Sequence, residues 1–171
     1  LCFFFFNESA APEDHPSSPP RPSPIQKSPP GTARSFKPGL KGTMHEIKRK
    51  KMREKEKTPN KWNYPVEDVM IPKKVKGNIG LIIKGYFNAP QDDIYTFALL
   101  SDDGSTLTID SEQIVDNDGP HGPKEIVGQK ALAKGYHPME LRYFDQNGGQ
   151  LKLKVTGSDG KEIPFTHLYA H

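Results

Sequence analysis

The sequence predicts an all-β fold, an antiparallel two-sheet β-sandwich or barrel preceded by a disordered proline-rich tail. The 171 residues include 17 prolines and 15 glycines, which favour strands joined by many turns over helices. Beyond Gly77, short runs of alternating polar and apolar residues are separated by turn sequences. Strands do not alternate with helical patterns, so a parallel α/β sheet is not expected.

The first 35 residues are expected to form a linker or a processed tail. They are rich in Pro and Ser, and prolines at this density remove backbone donors and oppose helix formation. The run from Leu1 to Phe6 is too short to span a membrane. It is interpreted as the remnant of a secretory signal, as a truncation artefact or as a strand of a preceding domain. The chain is therefore divided into a tail, residues 1–35, and a β domain, residues 36–171.

Two kinds of strand are predicted within the β domain. Thr106–Asp110, Met139–Tyr143 and Leu151–Val155 alternate polar and apolar residues, as strands with one buried face do. Leu81–Phe87 and Ile94–Leu100 are more continuously apolar and are predicted to be central strands covered on both faces. Turns are predicted at 102–104, 117–119, 147–149 and 158–160, each of which contains Gly beside Asp or Asn.

Charge and cysteine content limit the possible partners. The net charge is only +3, but Lys48–Lys57 is strongly basic and Asp92–Asp118 is acidic. Glu54 and Glu56 dilute the basic run, which is interpreted as a solvated surface, so no nucleic-acid partner is expected. The single cysteine, Cys2, cannot form an internal disulfide, so the core must hold the fold together.

The most informative residues for chemistry are the adjacent carboxylates Asp102 and Asp103, which Gly104 follows. Neighbouring strand residues point to opposite faces, so both carboxylates meet one ion only through a tight turn or a cis peptide bond. Hard oxygen ligands suit Ca²⁺, whereas the alternative is a simple Asp-Asp-Gly hairpin turn. A second acidic cluster, Asp116–Gly119, only partly mimics a helix-loop-helix calcium loop, because Ile114 falls on its first ligand position.

The order of these motifs resembles a known family. Phe97–Asp110, then Asp116–Gly122, then Gly135–Pro138, and Tyr143–Phe144 before Gly148–Gly149, are similar to the signature of the protective-antigen (PA-14) domain family. The version seen here looks most like the domains appended to bacterial β-hexosaminidases and related glycoside hydrolases. One departure is Ser111–Gln113, which replaces the usual glycine-containing hairpin and is expected to alter that turn.

The resemblance implies a β domain that binds carbohydrate, in which an Asp-Asp pair joined by a cis peptide holds Ca²⁺ against sugar hydroxyls. The residues it implies as metal ligands are Asp102, Asp103, Asn117 and Asp118. Those it implies as carbohydrate-binding are Asp102, Asp103, Asn117 and His121. For His121 a loop-stabilising role is the alternative, and His137, Tyr143 and Phe144 are expected to be structural.

The expected function is a calcium-dependent carbohydrate-binding module, with a glycan or polysaccharide as partner and a secreted, periplasmic or cell-surface location. A linked catalytic domain is expected in a longer parent chain. Two alternatives remain: a structural spacer that binds nothing, and the terminal part of a glycosidase such as a β-N-acetylhexosaminidase. Adjacent Asp102 and Asp103 cannot form a catalytic carboxylate pair, which needs a separation of roughly 5–9.5 Å, so no catalytic residue is assigned.

Overall fold

The computed structural model describes residues 37–46, 62–66, 69, 71, 78–146 and 148–170. The proline-rich tail and the basic run lie outside these residues, so the predictions made for them stay predictions. The described elements are β1 (Lys37–Pro38), β2 (Leu40–Glu46), β3 (Trp62–Val66), β4 (Ile79–Ala89), β5 (Asp93–Asp102), β6 (Ser105–Ile109), β7 (Glu112–Asn117), β8 (Lys124–Leu132), β9 (Gly135–Asp145), β10 (Gln150–Thr156), a 3₁₀ helix (Phe165–His167) and β11 (Leu168–Ala170). No helix among them has the length and hydrophobicity needed to cross a membrane.

The strands form two antiparallel sheets, which confirms the predicted all-β fold class. The larger sheet has the order β1–β11–β4–β9–β6–β7, and β2 joins it by pairing with both β4 and β3. The smaller sheet has the order β10–β5–β8. Because β5 belongs to the smaller sheet and β6 to the larger one, the turn at 103–104 crosses from one sheet to the other.

The core lies between the sheets and is filled by alternate residues of each strand. On β5, Tyr95, Phe97 and Leu99 are fully buried, while the residues between them are only partly buried. Phe87 of β4 packs edge-on against Tyr95 and Phe97, with ring centroids 5.1 and 5.5 Å apart. Edge-on aromatic pairs at this separation contribute roughly 0.5–1.5 kcal/mol beyond the apolar area that they bury.

The prediction that β4 and β5 are covered on both faces is wrong. Both strands lie inside their sheets, but Lys84 on the outer side of β4 is exposed and Ile94 on that of β5 is 40% exposed. A two-sheet sandwich buries only the inner face of each sheet, so outward positions stay open even where the residue is apolar. By contrast, Lys152 and Lys154 of β10 are exposed and Leu151 and Val155 are buried, as the alternation predicted.

The turn between β6 and β7 has two non-glycine residues in the left-handed region. Asp110 and Ser111 have φ angles of 51° and 66°, the left-handed region that a two-residue type I′ hairpin needs at both positions. Asp tolerates this region because its short side chain can hydrogen-bond locally. Here the Asp110 N–H donates to the carbonyl of Pro138, at 2.9 Å.

Asp110 also forms an ion pair with a buried histidine. His137 is fully buried, and its Nδ1 lies 2.7 Å from Asp110 Oδ2 while its Nε2 lies 2.8 Å from the Ala133 carbonyl. Both partners are acceptors, so the ring satisfies both only as the doubly protonated cation. Burial and the charge of Lys130 lower the pKa of His137, but the contacts with Asp110 and Ala133 outweigh them and raise it overall. The structural role expected for His137 therefore fits its position.

This ion pair predicts that stability falls as the pH rises above about 6.5, the pKa of an unperturbed histidine. A histidine with a raised folded-state pKa contributes its full stabilisation below the unfolded value of about 6.5 and loses it as the pH passes the folded value. The thermal midpoint, measured from pH 5 to 9, should decline through that window. In Asp110→Asn, which keeps the side-chain shape, the midpoint at pH 6 should be lower and the decline shallower. Identical pH profiles for the two proteins would rule out this linkage.

Candidate functional site

The turn from β5 to β6 is the centre of the candidate site. The peptide bond between Asp102 and Asp103 is cis, the geometry that the family resemblance implied. Gly104 follows, and a Cβ built there would overlap the ring of Phe144 and lie 2.7 Å from the Gly119 nitrogen. Glycine is therefore required at 104, because the loop after β7 packs directly on the turn.

The Asp103 carboxylate joins the two neighbouring loops. Its Oδ1 accepts the N–H of His121 and its Oδ2 accepts the N–H of Gln146, each at 3.1 Å. His121 lies in the loop between β7 and β8, and Gln146 in the loop between β9 and β10. An ionised carboxylate offers about four lone-pair positions, so Asp103 retains acceptor capacity beyond these two bonds.

Asp102 is held through its backbone. Its carbonyl accepts the hydroxyl of Tyr143 at 2.6 Å, and Gly149 packs so closely that a Cβ there would overlap the same carbonyl oxygen. The Asp102 side chain is half-buried, and the described residues supply its carboxylate with no hydrogen bond.

Asn117 is the most unusual residue of the site. It is only 2% exposed, and its Nδ2 donates to Ser101 Oγ at 2.9 Å and to the Lys124 carbonyl at 3.0 Å. The carbonyl partner fixes the amide orientation, because only the NH₂ end can face a carbonyl oxygen. The Oδ1 atom is buried and is the one such side-chain atom of the described residues that has no hydrogen-bond partner. Unsatisfied buried acceptors are rare in native proteins and call for an explanation such as an ion.

Asp118 and His121, the other two residues predicted for the site, lie in the loop between β7 and β8. Asp118 is half-buried, and its Oδ1 accepts the N–H of Gly119 at 2.9 Å. His121 directs its ring nitrogens at the carbonyls of Gly122 and Asn117, at 2.7 and 2.9 Å, so its imidazole braces the loop. Within the described residues, no three His, Cys, Asp or Glu side chains converge to hold a metal. The ligand role predicted for Asp118 stays a prediction.

The site is electrostatically negative. Burial raises the pKa of the Tyr143 hydroxyl, and the charges of Asp145, Asp102 and Asp103 raise it further. Tyr143 is therefore a permanent donor to Asp102 at any physiological pH. Asp145, itself buried, accepts the N–H groups of Gly148 and Gly149 at 2.8–3.0 Å and shapes the second loop.

Several residues of the site were missed from the sequence. Ser101, Tyr143, Asp145 and Gly149 support the turn. None of them was predicted as a site residue: Tyr143 was expected to be structural, and Gly149 was named only in a turn and in the family signature. The spacing of Asp145 from Gly148 and Gly149 is the signal that could have identified one of them. Asp side chains often accept backbone N–H groups a few residues further along a turn, and here the acceptors meet Gly148 and Gly149.

The family model described as "PA14 domain" matches residues 30–165. A search of curated proteins found no match. Among solved structures, the PA14 sugar-binding domain from an RTX adhesin is 16% identical with a TM-score of 0.64, covering 78% of this chain and 98% of its own.

Two further structures extend the likeness. The A domain of epithelial adhesin 9 from Candida glabrata, in complex with Galβ1-3GlcNAc, is 15% identical with a TM-score of 0.61 and covers 87% of this chain and 95% of its own. The β-glucosidase from Kluyveromyces marxianus in complex with glucose is 17% identical with a TM-score of 0.56, covering 70% of this chain and 16% of its own. At these identities the structural likenesses establish the fold.

Proposed function

Because the chain belongs to the PA14 domain family, we propose that it is a carbohydrate-binding module that uses Ca²⁺ to bind its sugar. The observation that carries this proposal is the buried, unpartnered Oδ1 of Asn117 beside a turn with two carboxylates. Two members of the structural comparison are a sugar-binding domain of an adhesin and an adhesin domain in complex with a disaccharide. They support a sugar as the ligand and a secreted or cell-surface setting for the chain.

Asp102, Asp103 and Asn117 are the residues that would hold the ion. All three offer oxygen, the donor that Ca²⁺ prefers, and an amide oxygen without a hydrogen bond is a better donor than one already in use. A bound Ca²⁺ with an open edge supplies a site where two neighbouring sugar hydroxyls replace water. Hydrogen bonds within the protein hold Asp102 and Asp103 in place. The Asp103 carboxylate accepts N–H groups from both neighbouring loops, and the Tyr143 hydroxyl donates to the Asp102 carbonyl.

An accessory role in a glycoside hydrolase is the second candidate. The observation that favours it is the likeness to a segment that makes up 16% of a β-glucosidase chain. In that setting the module would bind the polysaccharide while a linked domain cleaves it. Adjacent Asp102 and Asp103 do not have the separation of a catalytic carboxylate pair, so the cleavage is assigned to the linked domain.

The test is a calcium titration of chelator-treated protein, in which the midpoint of thermal unfolding is measured at each calcium concentration. A ligand that binds only the folded state stabilises it by about 2.7 kcal/mol at a hundredfold excess over Kd, which is a rise of roughly 5–10 °C for a chain of this size. Asp102→Asn removes a carboxylate that accepts no hydrogen bond from the described residues, so it should fold normally and lose most of this rise. Glu125→Gln also removes one negative charge, from an exposed position on β8, and should keep the rise in the thermal midpoint.

Glycan retention completes the test. Immobilised neutral glycans should retain the wild type in Ca²⁺ but not in chelator, and should not retain Asp102→Asn. Retention in the presence of chelator would show that sugar binding does not require calcium. A protein that shows neither a calcium-dependent rise nor retention is a structural spacer.

A further inference from the structure

A groove on the outer face of the larger sheet is separate from the site around Asp103. Its volume is about 680 Å³, within the roughly 300–1,000 Å³ typical of ligand sites. Its floor is a single row of side chains that face one another across four adjacent strands, β2, β4, β9 and β6. In that order they are Lys41, Lys84, Glu140 and Thr108. The walls add Gly85, Tyr86, Ser111, Pro138 and Met139.

The row faces outward because its neighbours along each strand face the core. Ile83 beside Lys84, and Met139 and Leu141 on either side of Glu140, are buried. With a side-chain period of two, the residues between them must lie on the other face. The groove is therefore built by the register of the sheet.

The groove carries a net positive charge. Lys84 Nζ lies 2.7 Å from Glu140 Oε2, and Arg142 Nε contacts Glu140 Oε1, so one carboxylate is shared by two cations. Burial raises the pKa of Glu140, but these two contacts outweigh burial and hold it below its usual value. Lys41 is exposed and has no ion-pair partner among the described residues. Three cations thus stand against one carboxylate, with two of the cations lining the groove.

We propose that this groove binds an acidic saccharide, a hydroxyl-rich chain that carries carboxylate or sulfate groups. Lys41 and Lys84 supply the charge complement to the anion. Thr108 and Ser111 supply hydroxyls that can donate to or accept from sugar hydroxyls, and half-buried Tyr86 supplies an aromatic wall. An open groove with this mixture of charge, hydroxyls and one ring suits a polar, flexible ligand better than an apolar one.

The experiment measures binding by calorimetry to the full chain in chelator, which silences the Asp103 site. The first probe is a glucuronate-containing tetrasaccharide, and its matched control is the same sugar with the carboxylates reduced to alcohols. The second probe is a sulfated oligosaccharide without uronate, which distinguishes sulfate esters from carboxylates as the anion. An acidic probe should bind at least about tenfold more tightly than the reduced sugar, since one charge-assisted hydrogen bond accounts for that factor.

Lys41→Gln is the test variant, because Lys41 is exposed and its loss breaks no recorded bond among the described residues. It should weaken the acidic probe about tenfold. Lys154→Gln, which removes an exposed lysine that lies 3.7 Å from Glu162 on the smaller sheet, should change the affinity less than twofold. Amide shifts on adding the probe should map to 84–86, 108–111 and 139–140.

Three results would overturn the assignment. They are equal affinity for the acidic and reduced sugars, no binding of either acidic probe, and amide shifts confined to 102–104 and 117–122. Every measurement is made in chelator, so each of these outcomes can be interpreted even if the site around Asp103 does not bind calcium.

Discussion

Replacing Gly149 by alanine should lower the free energy of unfolding by about 3 kcal/mol or more, the upper range for overpacking a tightly packed position. The new Cβ would overlap the Asp102 carbonyl oxygen and lie 2.7 Å from its carbon and 2.9 Å from the Tyr143 hydroxyl. That carbonyl cannot retreat without losing its 2.6 Å bond to Tyr143. Equilibrium unfolding in urea, with an unchanged slope and a lower midpoint, is the measurement.

Gly122→Ala is the matched control for this change. A Cβ at Gly122 meets nothing within 4 Å, and this glycine lies in the other loop of the same site. Its effect should stay within about 0.5 kcal/mol, as for ordinary surface substitutions. If the two variants unfold at the same urea concentration, the close packing of Gly149 on Asp102 does not stabilise the fold. Because Gly149→Ala displaces Asp102, it should also abolish any calcium-dependent rise of the thermal midpoint.

Asn117→Ala should have an effect that depends on calcium. Without calcium it removes two buried hydrogen bonds, to Ser101 and to the Lys124 carbonyl, at a cost of about 2 kcal/mol. With calcium at a hundredfold excess the wild type gains about 2.7 kcal/mol more, which the variant should not gain. The difference between the two proteins should therefore roughly double on adding calcium, and thermal midpoints in chelator and in calcium measure it.

Ser105→Ala is the control for Asn117. Ser105 Oγ lies 2.7 Å from Ser101 Oγ in the same buried network, but it is not a candidate ligand. Its loss should lower the midpoint in chelator and leave the gain from calcium intact. A full calcium gain in Asn117→Ala would exclude Asn117 as a ligand, whatever the variant does to stability.

Local patterns were enough to predict the fold class. The alternation in Leu151–Val155 reports which side of a strand is buried, and the turn glycines mark where strands end. The same patterns failed for the outer side of β5, because an apolar outward residue such as Ile94 looks identical in sequence to a buried one. Burial of a second face depends on what lies across it, which a strand's own sequence does not contain.

The site was only partly predictable for a related reason. Asp102 and Asp103 stood out as adjacent carboxylates before a glycine, and the family resemblance added Asn117. The structure buries the Asn117 amide beside the turn. The bond from Tyr143 to the Asp102 carbonyl and the bond from Gln146 to Asp103 join segments that lie about 40 residues apart in sequence. Such long-range contacts follow from sheet order, and no short motif encodes them.

The pairing of β1 with β11 gives the domain a polarity. Lys37 pairs with Ala170, so the first and last described residues lie side by side. β11 pairs with Tyr86 and Phe87, near one end of β4. Leu81, near the other end of β4, pairs with Tyr143, whose hydroxyl donates to the Asp102 carbonyl. Five or six strand residues, about 20 Å, separate the two ends. A tether at either terminus would therefore hold the module by its base and project the Asp102–Asp103 tip outward, towards a surface opposite the anchor.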